Sequence, residues 1–357
     1  MALVVFRVDA SEKIGTGHVR RCLSLAQALR ALGTDVVFLS RELGVDVSAM
    51  LGSTGFELDM LPPPDGPVPR SDAVPHADWA GVDSDLDVEQ TGNWLLRHGA
   101  SADWVLIDHY GFDAQWHRTM ATIAGTRVAV IDDTADRRID AALLIDHNYS
   151  ADHVAKYAGL INADAKILGG PRYALLSPSY VEAKRCPIRS EVTSIGVFMG
   201  GIDAGFYSAQ ALAACRSAGY NGRVEIVSTS SNPRLAELSA AVVADGNAKL
   251  SIDLSDLADF FARHDLQIGA GGGATWERCC TGAPTIAWVV ADNQRHVLGP
   301  LRNLGALHTI GGDSKSLSEA IRSLCNDYSY RTQLSDAARR LVDGRGADRV
   351  ARCMASQ

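Results

Sequence analysis

Leu3-Val4-Val5-Phe6-Arg7-Val8-Asp9, followed after five intervening residues by Gly15-Thr16-Gly17-His18, is the stretch that decides the fold. Its first half is a short run of apolar, mostly β-branched residues, the composition of a strand buried in a sheet. Beyond the glycines, Val19, Cys22, Leu25, Ala26, Leu29 and Leu32 recur at spacings of three and four, which predicts a helix with one apolar stripe, ended by Gly33. Strand, glycine loop and helix open a βαβ unit of a parallel sheet. Chemistry belongs in that loop. Gly15 and Gly17 let backbone N–H groups approach an anion, the helix start adds the favourable end of its dipole, and His18 puts a titratable side chain at the same spot.

The alternation continues along the chain. Strands are expected at 4–8, 35–40, 57–61, 104–108, 127–132 and 142–146, with helical patterns between them. The proline- and aspartate-rich stretch 62–75 reads as a surface loop. Arg185-Cys186-Pro187-Ile188-Arg189-Ser190 has the proline and charges of a linker, after which strands are expected at 194–199, 224–228, 249–252, 266–268 and 285–290. The expected architecture is two doubly wound, Rossmann-like α/β domains facing across a cleft: 1–184, a linker at 185–192, and 193–357, with the last helix packing back on the first domain. Such sheets bind ligands beyond the carboxyl ends of their strands, so the loops there are the ones to inspect.

Composition narrows the partners. The chain has 357 residues, 46% hydrophobic and 21% charged, with no apolar run near the roughly 20 residues of a spanning helix. A net charge of -8 disfavours nucleic-acid and membrane surfaces. The first residues read as a strand rather than a secretory signal, and the seven cysteines form no C-x-x-C pair, so a cytoplasmic protein with reduced thiols and no zinc is expected. Arg20 and Arg21 either line a phosphate site or belong to a solvated helix face.

Four loops after expected strands carry capable residues. In the first, Gly15-Thr16-Gly17-His18-Val19-Arg20 lacks the third glycine of a nicotinamide fingerprint, which disfavours a dehydrogenase. The second is Asp108-His109-Tyr110-Gly111, where Asp108 either serves a site or caps the next helix; Asp132-Asp133 is similar and offers a divalent cation two acids. The third joins Met199-Gly200-Gly201-Ile202-Asp203 to Ser230-Ser231-Asn232-Pro233, both also explained by turn chemistry. The fourth, Gly269-Ala270-Gly271-Gly272-Gly273-Ala274-Thr275-Trp276-Glu277, opens a helix with three glycines suited to a diphosphate, without the lysine of a P-loop. Glu277 there either accepts ribose hydroxyls or complements the helix dipole. Farther on, Ala291-Asp292-Asn293-Gln294 offers amides to a sugar or base.

With Phe6-Arg7-Val8-Asp9, Ile14-Gly15-Thr16-Gly17-His18, Ile107-Asp108-His109-Tyr110-Gly111, Ser230-Ser231-Asn232-Pro233, Thr275-Trp276-Glu277-Arg278 and Asp292-Asn293-Gln294 in this order, the chain resembles the UDP-2,4-diacetamido-2,4,6-trideoxy-β-L-altropyranose hydrolases of pseudaminic acid biosynthesis. The resemblance implies a fold like that of GT-B nucleotide-sugar glycosyltransferases, with the nucleotide held mainly by the C-terminal domain, no cofactor and no metal. It implies His18 as the catalytic histidine, expected to act as general base, and Tyr110 as an active-site partner; Asp9, Asp108 or Tyr110 is available to orient the histidine or the water. On this reading Arg7, Asp9, Gly15, Thr16, Gly17, Arg20, His109, Asn293 and Gln294 bind substrate. Gly201, Ser231, Asn232, Gly271, Gly272, Gly273, Ala274, Thr275 and Glu277 bind the nucleotide. Ile202 and Gly273-Ala274 stand where the family often has hydroxyl residues, leaving the phosphate to backbone donors.

The expected reaction is hydrolysis of a UDP-linked 2,4-diacetamido-2,4,6-trideoxy sugar at its anomeric carbon, with inversion, by a monomeric enzyme. Its rivals are a glycosyltransferase using the same donor and a non-catalytic nucleotide-sugar-binding protein, which fold alone does not separate.

Overall fold

The computed structural model describes the chain apart from residues 1, 67–70, 72, 99–101, 184, 292–293 and 357. It divides into two compact units, Met1–Ser177 with Arg345–Gln357, and Pro178–Gly344.

The first unit is built on an all-parallel sheet of seven strands: β1 (Leu3–Val8), β2 (Asp35–Arg41), β3 (Glu57–Leu61), β4 (Trp104–Asp108), β5 (Arg127–Ile131), β6 (Leu143–Asp146) and β7 (Lys166–Gly169). Their order is β3-β2-β1-β4-β5-β6-β7, so the winding reverses between β1 and β4. Alternate side chains feed two cores. Val4, Phe6 and Val8 pack with Leu25, Leu29 and Phe38 on one face, while Val5 joins Ile107, Trp116 and Leu144 on the other. The helix Gly346–Ala355 completes the first of these cores with Val350, Ala351 and Met354, and the Met354 carbonyl accepts the Trp104 indole N–H at 3.2 Å.

The second unit repeats the plan with β8 (Ser194–Phe198), β9 (Arg223–Ser228), β10 (Ala248–Ile252), β11 (Leu266–Ala270), β12 (Thr285–Val289) and β13 (His308–Gly311), in the order β10-β9-β8-β11-β12-β13. Its reversal lies between β8 and β11. Ile195, Val197, Ile268, Ile286 and Trp288 pack there against helices carrying Leu212, Leu238 and Ile321.

The units divide at Pro178 and Arg345, where the sequence reading expected 1–184, a linker at 185–192, and 193–357 with the last helix packing back on the first domain. Residues from Pro178 onward are tied into the second unit: Ser179 Oγ donates to Asp256, Cys186 N–H to the Thr281 carbonyl, and Arg189 pairs with Asp265. The linker-like proline and charges at 185–190 are therefore bound structure. Strands β7 and β13 had no sequence expectation. Among the described residues, no helix is long and apolar enough to cross a membrane.

Candidate active site

Strands β1 and β4 lie side by side, with Val8 in register with Asp108, so the loops leaving them meet at the reversal of the first sheet. There the helix Gly17–Ala31 begins. Gly15 adopts φ +76°, a left-handed conformation suited to glycine, and its N–H closes a turn onto the Ser11 carbonyl at 2.8 Å. No side chain caps the helix, and His18 occupies its first turn.

The His18 Nδ1 lies 2.6 Å from Asp108 Oδ1, and Asp108 is fully buried. Arg21, one turn along the helix, grips the same carboxylate, its Nε donating to Oδ2 at 2.5 Å. Burial alone would raise the Asp108 pKa, but Arg21 and His18 outweigh it and hold the carboxyl well below its usual range. An ionised carboxylate only accepts hydrogen bonds, so a neutral His18 ring in this pairing has its proton on Nδ1 and its lone pair on Nε2. This is the geometry of an oriented general base.

Tyr110 extends the network. Its hydroxyl donates to Asp133 Oδ1 at 2.5 Å, Asn148 Nδ2 donates to Asp133 Oδ2 at 2.8 Å, and the His18 and Tyr110 ring centres are 4.9 Å apart. Burial, then Asp133, pushes the phenol pKa well up, so Tyr110 stays a neutral donor. His147 stands 4.0 Å from Asp133 and is held down at about 4 chiefly by burial, with Arg21 adding to it. The half-buried Trp79 and His76 close the aromatic side. The structure thus brings His18, Asp108 and Tyr110 together. Arg21 was weighed in the sequence only as a phosphate or surface residue, and Asp133 only as one acid of a pair. Asn148, His147, His76 and Trp79 gave no sequence signal.

Other expected substrate contacts lie beneath the site. Arg7 and Asp9 are fully buried and paired at 2.5 Å, Arg7 also donates to Asp87 at 2.6 Å, and Arg41 donates to the same Asp87 oxygen at 2.8 Å. Asp9 further accepts the Arg41 backbone N–H at 2.6 Å. His109 stacks on Phe112 and takes the Gly111 N–H on Nδ1 at 3.0 Å. These three residues, expected at the substrate, are buried and form the floor beneath His18. Thr16, Gly17 and Arg20 are exposed at the loop. Asp132 and Asp133 do not converge on one ion: Asp132 binds Arg137 at 2.6 Å and the Tyr157 hydroxyl, while Asp133 serves Tyr110 and Asn148. Among the described residues, the group with metal-ligand spacing is Glu57, Asp59 and His98, away from His18 on the edge strand β3 and the end of the helix Ser84–Arg97.

In the second unit the corresponding reversal carries the glycine-rich turn. Gly269 of β11 is in register with Phe198 of β8, and Gly271-Gly272-Gly273 lead into the helix Ala274–Thr281, again without a side-chain cap. Gly272 has φ +113°, and a Cβ on Gly271 would lie 3.0 Å from the Gln294 side chain, so Gln294 stands directly at the turn. Glu277 occupies the first turn of that helix. Beneath it Arg278 is buried with its Nη2 on the Ala270 carbonyl at 2.7 Å, and burial pulls it down to about 10. Thr275 is buried against Arg278, and Asn232 spends its amide on Ser228 Oγ and the Arg234 N–H. These two side chains, expected at a nucleotide, are engaged in hydrogen bonds within their own loops. Gly201 and Ser231 remain at the accessible ends of β8 and β9, Gly201 holding Thr229 Oγ1 through its carbonyl at 2.9 Å. Asn293 lies outside the described residues.

No family model matches the chain. Over 256 residues, 71% of this chain and 80% of the relative, it is 25% identical to the UDP-2,4-diacetamido-2,4,6-trideoxy-β-L-altropyranose hydrolase of Campylobacter jejuni, which it therefore resembles. MurG of Acinetobacter baumannii superposes with a TM-score of 0.66 at 13% identity over 100% of both chains. UGT2 of Phytolacca americana, complexed with UDP-2fluoro-glucose and pterostilbene, does so at 0.69 and 13%, covering 100% of this chain and 98% of its own. MnaA of S. aureus with UDP gives 0.62 at 14%, covering 98% and 95%. The fold is the GT-B-like one of two Rossmann-like domains.

Proposed function

We propose that the chain is a nucleotide-sugar hydrolase that cleaves a UDP-linked 2,4-diacetamido-2,4,6-trideoxy sugar at its anomeric carbon, in the route to a nonulosonic acid. The observation that carries this reading is the His18–Asp108 pair at the β1/β4 reversal, supported by the resemblance to the Campylobacter enzyme. Nε2 of His18 takes a proton from water as the water oxygen bonds to C1. The bond from C1 to the β-phosphate oxygen breaks, its electron pair leaves with UDP, and the configuration inverts. General-base assistance of this kind is worth roughly 10²- to 10⁴-fold. Asp108 fixes the tautomer and stabilises the imidazolium that forms, and Tyr110 donates from the same network.

In this proposal the pyrophosphate, a leaving group that already spreads negative charge, is held by backbone donors and the helix start at Gly271, Gly272 and Gly273, and Glu277 accepts the ribose hydroxyls. The reaction in this form requires no metal and suits a monomer in the cytoplasm. The glycosyltransferase folds among the structural neighbours support a second reading, transfer of the same sugar to a hydroxyl acceptor. Proton NMR of the protein with the UDP-2,4-diacetamido sugar in buffer with chelator separates the two. UDP and free sugar of inverted configuration, lost in His18→Ala, are the expected products; intact substrate without acceptor refutes hydrolysis.

A further inference from the structure

Opposite Tyr110, the short 3₁₀ turn Ala77–Ala80 holds Trp79 against the His18 site. The Trp79 ring centre is 5.6 Å from Tyr110 and 6.2 Å from His18, whose ring it meets edge-on at 85°, while His76 packs on it at 4.6 Å and lies 5.8 Å from Tyr110. This turn is seated, not draped. Lys13, from the loop preceding His18, pairs with Asp78, and His76 Nε2 lies 3.5 Å from Asp136. Gly111 makes the seat: a Cβ there would come within 2.8 Å of the His76 carbonyl oxygen. Although anchored on three sides, Trp79 remains half-buried, and among the described residues its indole N–H has no hydrogen-bond partner. A half-buried indole beside an oriented base suits a ring that has one apolar C–H face and polar groups at its rim.

We infer that Trp79 is the specificity wall of the site: its indole packs on the apolar face of the pyranose at His18 and favours a sugar with a methyl group at C6 over one with a hydroxymethyl group. The inference rests on the proposed hydrolase reading and deepens it. A methyl group keeps that face continuous, whereas a C6 hydroxyl placed against the indole loses water without gaining an acceptor. Tyr110 and His18 set the position of C1, and Trp79 sets which ring is tolerated there.

The test is steady-state kinetics of wild type, Trp79→Phe and Trp79→Ala with the UDP-2,4-diacetamido-2,4,6-trideoxy sugar and with UDP-N-acetylglucosamine, beside UDP as a product inhibitor. Trp79→Ala is expected to raise KM for the 6-deoxy substrate by roughly 10-fold or more and to narrow its preference over UDP-N-acetylglucosamine. Trp79→Phe should recover most of the loss, and inhibition by UDP should stay at the wild-type level, which also reports that the variants fold. Wild-type KM and unchanged preference in Trp79→Ala overturn the wall while leaving the hydrolase intact. A wild-type protein that hydrolyses neither compound overturns both.

Discussion

Asp87→Asn removes one charge and almost no volume from the floor of the first unit, and the structure sets the cost. The carboxylate accepts from Arg7 Nη2 at 2.6 Å, Arg7 Nε at 3.4 Å, Arg41 Nη2 at 2.8 Å, Thr91 Oγ1 at 3.2 Å and Trp116 Nε1 at 3.2 Å. Four of these five contacts come from N–H groups that cannot accept, which leaves Thr91 Oγ1 as the one acceptor among them for the asparagine amide nitrogen. With Asp87 ionised, Arg7 and Arg41 balance Asp9 and Asp87; with asparagine there, a net positive charge stays buried. Breaking one side of such a cluster costs about 3–5 kcal/mol. A second route gives a smaller figure. Burial would raise the Asp87 pKa, but Arg7 and Arg41 hold it at about 2, below an unfolded value near 4, a linkage of about 2–3 kcal/mol that counts the charge but not the misplaced donors. That contribution is fully present above pH ~4 and is lost as pH falls through ~2. At roughly 2–4 °C per kcal/mol for a unit of this size, thermal unfolding should drop by about 6–20 °C. Urea unfolding at pH 7, followed by tryptophan fluorescence, checks it, with the midpoint falling at unchanged m. A loss under ~1 kcal/mol refutes the buried-charge reasoning.

Three further outcomes are expected. Asp108→Asn should lower UDP release by roughly 10²- to 10⁴-fold in a folded protein, since it frees the His18 tautomer; near-wild-type turnover removes Asp108 from the mechanism. His109, His117 and His147 are held down chiefly by burial, to about 4, 3 and 4, against an unfolded value near 6.5. The unfolded chain therefore binds more protons between those limits, and stability should fall as pH drops from ~6.5 towards ~4, with a slope approaching ~4 kcal/mol per pH unit. Equal urea midpoints at pH 7 and pH 5 refute it. Gly272→Ala, at φ +113°, should weaken UDP binding in calorimetry, whereas Gly273→Ala, whose Cβ meets open space without a left-handed φ, should bind as wild type; equal effects in the two contradict the backbone argument.

Much of the architecture was legible because it is repetitive. Each apolar run followed by a helical stripe reads as one βαβ step, and the strands so expected form with ends shifted by at most two residues. Strands β7 and β13 escaped because Lys166-Ile167-Leu168-Gly169 and His308-Thr309-Ile310-Gly311 are four-residue edge strands whose mixed polarity resembles a loop. At the site, His18, Asp108 and Tyr110 were readable as polar residues at strand ends. Arg7 and Asp9 pair with each other, and Arg7 also with Asp87 far along the chain on a helix; a sequence does not distinguish such a buried ion pair from a ligand contact. Asp132 and Asp133 looked like one acidic pair because adjacency hides their opposite directions. Trp79 and His76 follow a proline-rich stretch without periodicity, and only the contact across Gly111 reveals where they sit.

The helix Gly346–Ala355 also sets a timetable. On the ribosome the strands of the first unit emerge early, yet Val350, Ala351, Met354 and the acceptor for Trp104 arrive only after the whole of 178–344 has been translated. At ~5–20 residues per second the wait is on the order of 10–30 s. The first unit made is therefore the last to be finished, and for that interval an apolar face of its sheet is left for a chaperone to cover.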